Sequence, residues 1–152
     1  MSVLATNKKA NFDYEILEKY EAGLVLFGHE VKSLRDGQGS LKGSFINTRK
    51  KNGKTEFYLI NCLIPPYKRA GLLPEYDSRR ERKLLLTKKE IERLIGKKQI
   101  EGLTLVPLRI YTNHSFLKLE FALARGKKKY DKRESIKRRD IDRRLRTLTK
   151  HR

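Results

Sequence analysis

Phe116-Leu117-Lys118-Leu119-Glu120-Phe121-Ala122-Leu123 places apolar Leu117, Leu119, Phe121 and Leu123 in alternation with Lys118, Glu120 and Ala122. A period of two turns one set of side chains toward a core and leaves the other wet, so 116–123 reads as a half-buried strand. The stretch 103–111 is its natural partner across Asn113-His114-Ser115. Pro107 has no N–H to give to a ladder, which makes that partner an edge or bulged strand. A second hairpin surrounds Asn52-Gly53, between 44–49 and 55–64, because both central residues of a type I′ turn need positive φ. A third strand pair is expected at 14–20 and 24–27, split by Glu21-Ala22-Gly23.

Two short helices interrupt the strands. Thr87-Lys88-Lys89-Glu90 is a capping box, followed by Ile91, Leu94 and Ile95 at helical spacing, with Gly96 permitting a stop and Gly102 a later breaker. The second helix is 30–35, with Val31 and Leu34 facing inward and Lys32 and Arg35 facing out. The fold class is therefore mainly β with accessory α. Short strands around one small core suggest a small oligonucleotide-binding-like antiparallel β-barrel, one of several all-β options.

The chain has 152 residues and a formal net charge of +19. Residues 125–152 carry fourteen Lys/Arg against four Asp/Glu, more than half of that net charge. The division is a body, 1–124, and a basic C-terminal tail, 125–152. Too little apolar surface exists in the tail to offset the entropy of ordering it, and its like charges repel. Such a segment fits polyphosphate, the alternative being a solvated run that only aids solubility. Ile136, Ile141, Leu145 and Leu148 form a loose apolar stripe that cannot fold the tail alone, so the tail is expected to fold on binding.

The single cysteine, Cys62, excludes an internal disulfide and, within an apolar run, reads as a buried core residue in a reducing cytoplasm. The N-terminus lacks a signal-peptide apolar region, and no apolar stretch approaches the ~20 residues needed to span a bilayer. With no Leu-rich or aromatic face in the tail to insert, no membrane role is expected. His29, His114 and His151 are too far apart for a paired metal motif, and no phosphate loop, nucleophile elbow or dinucleotide fingerprint occurs. Asp13, Glu21, Glu30 and Asp36 are scattered, and read as structural ion-pair partners. Nothing asks for catalysis, a metal or a cofactor. What remains is binding: tyrosines interleaved with cations, Tyr67 and Tyr130 being the best placed for exposure. The run Tyr76-Asp77-Ser78-Arg79-Arg80-Glu81-Arg82-Lys83 reads as a basic loop leading into Leu84-Leu85-Leu86.

These segments resemble the small protein B family, the SsrA-binding proteins that partner transfer-messenger RNA in bacterial ribosome rescue. The resemblance runs from about Asn7 to the end. It rests on Asn7-Lys8-Lys9-Ala10 with Asp13-Tyr14, Glu21-Ala22-Gly23, Gly28-His29-Glu30-Val31-Lys32-Ser33-Leu34-Arg35, Arg82-Lys83-Leu84-Leu85-Leu86, Gly102-Leu103-Thr104-Leu105-Val106-Pro107-Leu108, and Ala124-Arg125-Gly126-Lys127-Lys128 with Asp131-Lys132-Arg133. It implies a barrel of the oligonucleotide-binding type that grips the tRNA-like domain of transfer-messenger RNA. It also implies a tail that enters the vacant mRNA channel of a stalled ribosome near the small-subunit decoding centre and folds there as a helix. The protein would be cytoplasmic, a monomer when free, and no enzyme.

By motif, Asn7, Tyr14, Glu21 and Leu85 match positions linked to RNA binding in the family, and Lys8, Lys9, Arg82 and Lys83 belong to the same motifs. Glu21 would accept from a base edge or 2′-hydroxyl, hold a neighbouring cation, or be a structural acid at a strand turn. Leu85 would pack or stack, or belong to the core. Lys32, Arg35, Arg125, Lys127 and Lys128 are added on electrostatic grounds. In the tail, Tyr130 would stack on a base, Asp131, Lys132 and Arg133 would set the geometry, Ile136 and Ile141 would form the stripe, and Arg138, Arg139, Arg143 and Arg144 would line phosphates. Phe12, Tyr76, Ser78, Tyr130 and Ile141 depart from the common pattern. A structural ribosomal or ribosome-assembly protein would share the charge and tail; an RNA-processing enzyme would need an acid–base pair that is not evident.

Overall fold

The computed structural model describes residues 1–100, 102–127, 133 and 136–144. At its centre β6 (Leu103–Asn113) and β7 (Phe116–Gly126) pair antiparallel, closed by a two-residue turn at His114-Ser115 with His114 at φ 58°. The alternation in β7 turns Leu119 and Phe121 fully inward, with Leu117 and Leu123 nearly so. Ile110 and Leu105 of β6 face the same core.

Pro107 lies at a bulge in β6, in the half of that strand that is paired only with β7, as expected of an edge or bulged strand. The ladder shifts register between Pro107 and Arg109, a bulge that accommodates the missing N–H. Asn7 ties the bulge down: its backbone N–H donates to the Leu108 carbonyl at 2.8 Å and its Nδ2 to the Pro107 carbonyl at 2.9 Å. Beyond the bulge β1 (Ser2–Thr6) pairs with β6 from Arg109 to Thr112, a strand whose sequence carries little alternation and was not expected.

The expected strand pair at 14–20 and 24–27 is instead one strand, β2 (Tyr14–Leu24), antiparallel to β7 from Tyr14↔Gly126 to Gly23↔Lys118. Glu21-Ala22-Gly23 is no turn: Ala22 is buried, and Gly23 admits a close neighbour, since a Cβ there would meet the Leu85 Cβ at 3.3 Å. That neighbour is β5 (Arg82–Leu85), which pairs with the end of β2 and with β4 (Lys54–Ile60). The loop expected at 76–83 therefore ends in a strand. β3 (Phe45–Lys51) completes the Asn52-Gly53 hairpin, with φ of 52° and 75° at the two turn residues.

The seven strands form one sheet in the order β1-β6-β7-β2-β5-β4-β3. The sheet curls until β3 approaches β6, yet among the described residues no ladder joins β3 to either β6 or β1. The fold is thus oligonucleotide-binding-like with an open seam.

Short helices pack on the sheet. α1 (Ala10–Asp13) covers its outer side, with Ala10 buried against Val106 and Ala124. α2 (Gly28–Arg35) sends Leu34 into the core and keeps Lys32 and Arg35 exposed. α3 (Lys88–Lys98) starts on the Thr87 cap, whose Oγ1 accepts from the Glu90 N–H at 3.2 Å, and runs past Gly96 because an exposed glycine is tolerated in a helix. Leu94 anchors α3 and is fully buried; truncating such a side chain to alanine costs about 2–5 kcal/mol. Residues 136–144 are helical and exposed throughout. Lys128, Tyr130, Asp131, Lys132, Leu145 and Leu148 lie outside the described residues.

Candidate nucleic-acid interface

The outer faces of β2, β7 and β6 set outward polar groups beside an exposed apolar one. Directly opposite residues in a ladder share a face. Glu21 therefore stands across from Glu120, Gly23 across from Lys118, and Lys118 across from Tyr111. Leu85, opposite Gly23 on the other side, is 54% exposed. Leu85 is accordingly a surface residue and not core. The glycine lets β5 come close, so Glu21, Leu85 and Lys118 gather around one bare stretch of backbone.

Two contacts order this face. Arg109 donates through Nε and Nη2 to Glu120 Oε2 at 3.2 and 2.9 Å, and its guanidinium lies 4.8 Å from the centre of the Tyr111 ring. The Tyr111 hydroxyl is buried and has no hydrogen-bond partner among the described residues. Burial pushes its phenol up to about 12, and the Glu21 carboxylate adds to that rise without reaching hydrogen-bond geometry. Glu21 is exposed and in the middle of a strand, so the reading of it as an acid at a strand turn is replaced.

The remaining candidates fall elsewhere. Asn7 is a scaffold residue through its bonds to the β6 bulge, beside exposed Lys8 and Lys9 and half-buried Tyr14. Arg125 is exposed opposite Glu15, whereas the Lys127 ammonium donates to the Asn11 carbonyl at 2.8 Å and helps to close α1. Lys32 lies on α2 with its Nζ 5.8 Å from the centre of the Tyr67 ring. Lys83 is half-buried, 3.4 Å from Glu56 Oε1.

Arg82, expected among the RNA-binding residues, is instead buried. Its side chain is 0% exposed and therefore no surface contact. Its Nε and Nη2 donate to Glu30 Oε2 at 2.8 and 2.6 Å, Nη2 also to the Ser78 carbonyl at 3.1 Å and to the Tyr76 hydroxyl at 3.0 Å, and Nη1 to the Cys62 carbonyl. Glu30, equally buried, also accepts from Arg80 and, at 2.8 Å, from the Phe27 backbone N–H. Burial alone would raise its carboxyl, but the hydrogen bonds from Arg80, the Phe27 N–H and Arg82 outweigh it and hold the group below the usual carboxylate range. Arg80 stacks on Phe27 with 3.9 Å to the ring centre. The Tyr76 phenol is pushed up to about 12 by burial and then by Glu30. The departure at Tyr76 thus serves the scaffold. Cys62 is buried as expected, and burial pushes its thiol up to about 11.

Among the described residues no three His, Cys, Asp or Glu side chains come together to hold a metal, and no helix is long and apolar enough to cross a membrane. Lys118 and Arg109 lie on this face without belonging to the expected binding set, and Tyr111, one of the tyrosines interleaved with cations, is buried beneath it. The outward phase of the β7 alternation was a signal for Lys118; the other two depend on the register beyond the bulge.

A small curled sheet, an outward face mixing cations with a bare backbone, and a basic C-terminal helix coincide with one family model, described as SmpB protein, which matches residues 4–151. The chain belongs to the SmpB family. An SsrA-binding protein of Thermosipho melanesiensis is 54% identical over 151 residues, 99% of each chain, and one of Pseudothermotoga lettingae is 53% identical over 152 residues with the same coverage. A solved structure described as "tmRNA-SmpB: a journey to the center of the bacterial ribosome" contains a chain 48% identical, with a TM-score of 0.66, covering 90% of this chain and 95% of that one. The SmpB fold is thus shared over nearly the whole length.

Proposed function

We propose that this SmpB-family chain binds transfer-messenger RNA and brings it to stalled ribosomes, acting as a cytoplasmic binding protein and not as an enzyme. The observation that carries the reading is the near-complete match to relatives named SsrA-binding protein and to a chain solved in the tmRNA-SmpB context. The body would hold the tRNA-like domain through the Glu21–Leu85–Lys118 face. Lys118 supplies a cation for phosphate, Leu85 packs on a ribose or base, and Glu21 accepts from a 2′-hydroxyl or base edge, since a carboxylate repels phosphate.

The tail supplies the second half of the reading. The helical stretch 136–144 holds Arg138, Arg139, Arg143 and Arg144, with Ile136 and Ile141 exposed at 46% and 56%. An isolated helix of this length is marginal in water, and like charges oppose it. Phosphates lining an empty mRNA channel would remove that repulsion and fix the helix there, with Tyr130, Asp131, Lys132 and Arg133 near the decoding centre.

The test is to recover RNA that copurifies with the tagged full chain from bacterial cells and to sequence it. Transfer-messenger RNA is expected. Ribosomal RNA in stoichiometric amounts without transfer-messenger RNA would instead make the chain a ribosomal or assembly protein, and RNA with altered ends would make it a processing enzyme.

A further inference from the structure

The open seam of the sheet contains a groove of about 790 Å³ that the outward face does not include. Its floor is Thr104–Pro107 of β6, the half of that strand that β1 leaves without a ladder on one side. One wall is the segment from Asn7 to Tyr14; the other is the 40–45 loop and the start of β3. Lys8, Lys9 and Lys42 line it against one carboxylate, Asp13, and all three lysines are exposed. Phe45 also lines it and is 48% exposed at the first position of β3.

The loop that carries Lys42 and Phe45 is built. Gly43 takes φ 74°, a conformation side chains rarely adopt, and its carbonyl accepts from Asn61 Nδ2 at 3.1 Å. Ser44 Oγ donates to the Leu41 carbonyl at 2.6 Å, and the Ser40 N–H donates to the Leu63 carbonyl at 2.9 Å. Opposite, Asn7 is locked to the β6 bulge. Both walls are thus set before any ligand arrives, which lowers the ordering cost of binding.

We infer that this seam groove takes an unstacked base of the bound RNA, with Phe45 stacking on it and Lys8, Lys9 and Lys42 holding its flanking phosphates. An exposed ring beside three cations, on an unladdered strand edge, suits a splayed-out nucleotide better than a duplex: a duplex offers phosphates but no free base face. An acidic peptide would satisfy the lysines but would give the ring no stacking partner. The inference rests on the RNA-binding reading above and specifies which part of the RNA enters this part of the protein.

The experiment measures the affinity of the full chain for a transcript of the tRNA-like domain and for a blunt RNA duplex of equal length, across a salt series. Phe45→Leu should weaken binding to the transcript roughly 5- to 100-fold, leave duplex binding and the salt slope unchanged, and melt like the parent protein. Phe45→Tyr should restore transcript binding. Lys42→Ala should lower the magnitude of the salt slope for the transcript by about 0.7–0.9. Transcript binding untouched by Phe45→Leu, or equal weakening of transcript and duplex, would overturn the base site while leaving the RNA-binding reading in place. Failure of the parent chain to prefer the transcript over the duplex would overturn that reading itself.

Discussion

Two basic runs look alike in the sequence, Arg79-Arg80-Glu81-Arg82-Lys83 and Lys137-Arg138-Arg139-Asp140-Ile141-Asp142-Arg143-Arg144, and the structure uses them in opposite ways. In the first, Arg82 is buried and bound to Glu30, and Arg80 closes over the same carboxylate while stacking on Phe27. In the second, every residue is exposed, and a ring contact links Arg139 to Phe12 of α1, 5.1 Å from the ring centre. Composition counts cations; it does not say whether each will meet a carboxylate of its own chain or a phosphate of another. What distinguishes the first run is Leu84, two positions beyond Arg82 on the same face of β5 and buried in the core. An arginine in phase with a core residue has to bring its own counter-charge inside.

The comparison breaks most visibly at Arg82. Arg82→Met leaves the Glu30 carboxylate without its main buried partner, a loss of about 3–5 kcal/mol. A chain of this size should then melt roughly 6–20 °C lower by calorimetry. Arg138→Ala with Arg139→Ala should lower the melting temperature far less, costing no more than about 0.5–1 kcal/mol for the exposed Arg139–Phe12 contact. A large drop from the tail pair would mean that the tail is scaffold.

Ile141→Pro, inside the helical stretch 136–144, carries the next largest effect, about 3 kcal/mol against a helix without changing its charge. Peptide tagging on stalled ribosomes should be abolished, while filter binding to free transfer-messenger RNA stays near the parent value. Deleting residues 130–152 should separate the two activities in the same way. Normal tagging by either variant would remove the tail from the mechanism.

Acid should sharpen the contrast. Because the folded Glu30 carboxyl lies below its ordinary value of 4.5, the unfolded chain binds more protons in that window. The stabilisation is complete above about 4.5 and is lost as pH falls through the folded value. Urea denaturation should give a stability that drops with falling pH in the parent protein and drops less steeply in Glu30→Gln, although that variant is weaker at neutral pH. Parallel slopes in the two proteins would show that other carboxylates dominate acid unfolding.

The smallest expected change is at Lys118. Lys118→Ala should reduce the magnitude of the salt slope for RNA binding by about 0.9 and leave thermal melting unaltered, as one lost phosphate contact requires. An unchanged slope would take Lys118 off the RNA face.

The sequence by itself determined the features that depend on near neighbours. Strand phase in 116–123, the positive-φ hairpin at Asn52-Gly53 and the Thr87 capping box are all local and are found where the pattern placed them, except that Ala122, expected on the wet face with Lys118 and Glu120, is fully buried. The ordered motifs also identified the family. Long-range partnership belonged to the tertiary structure alone. Arg82 meets Glu30 across 52 residues, and the tight space at Gly23 is set by Leu85 on a strand far along the chain. Pro107 is tolerated where β6 bulges and pairs on one side only, and Asn7, 100 residues earlier, ties that bulge down. A local pattern shows that a side chain turns inward or outward, since that follows from backbone geometry over a few residues. It does not show what lies there, because a buried charge, a close backbone approach or an open seam exists only once distant strands have packed.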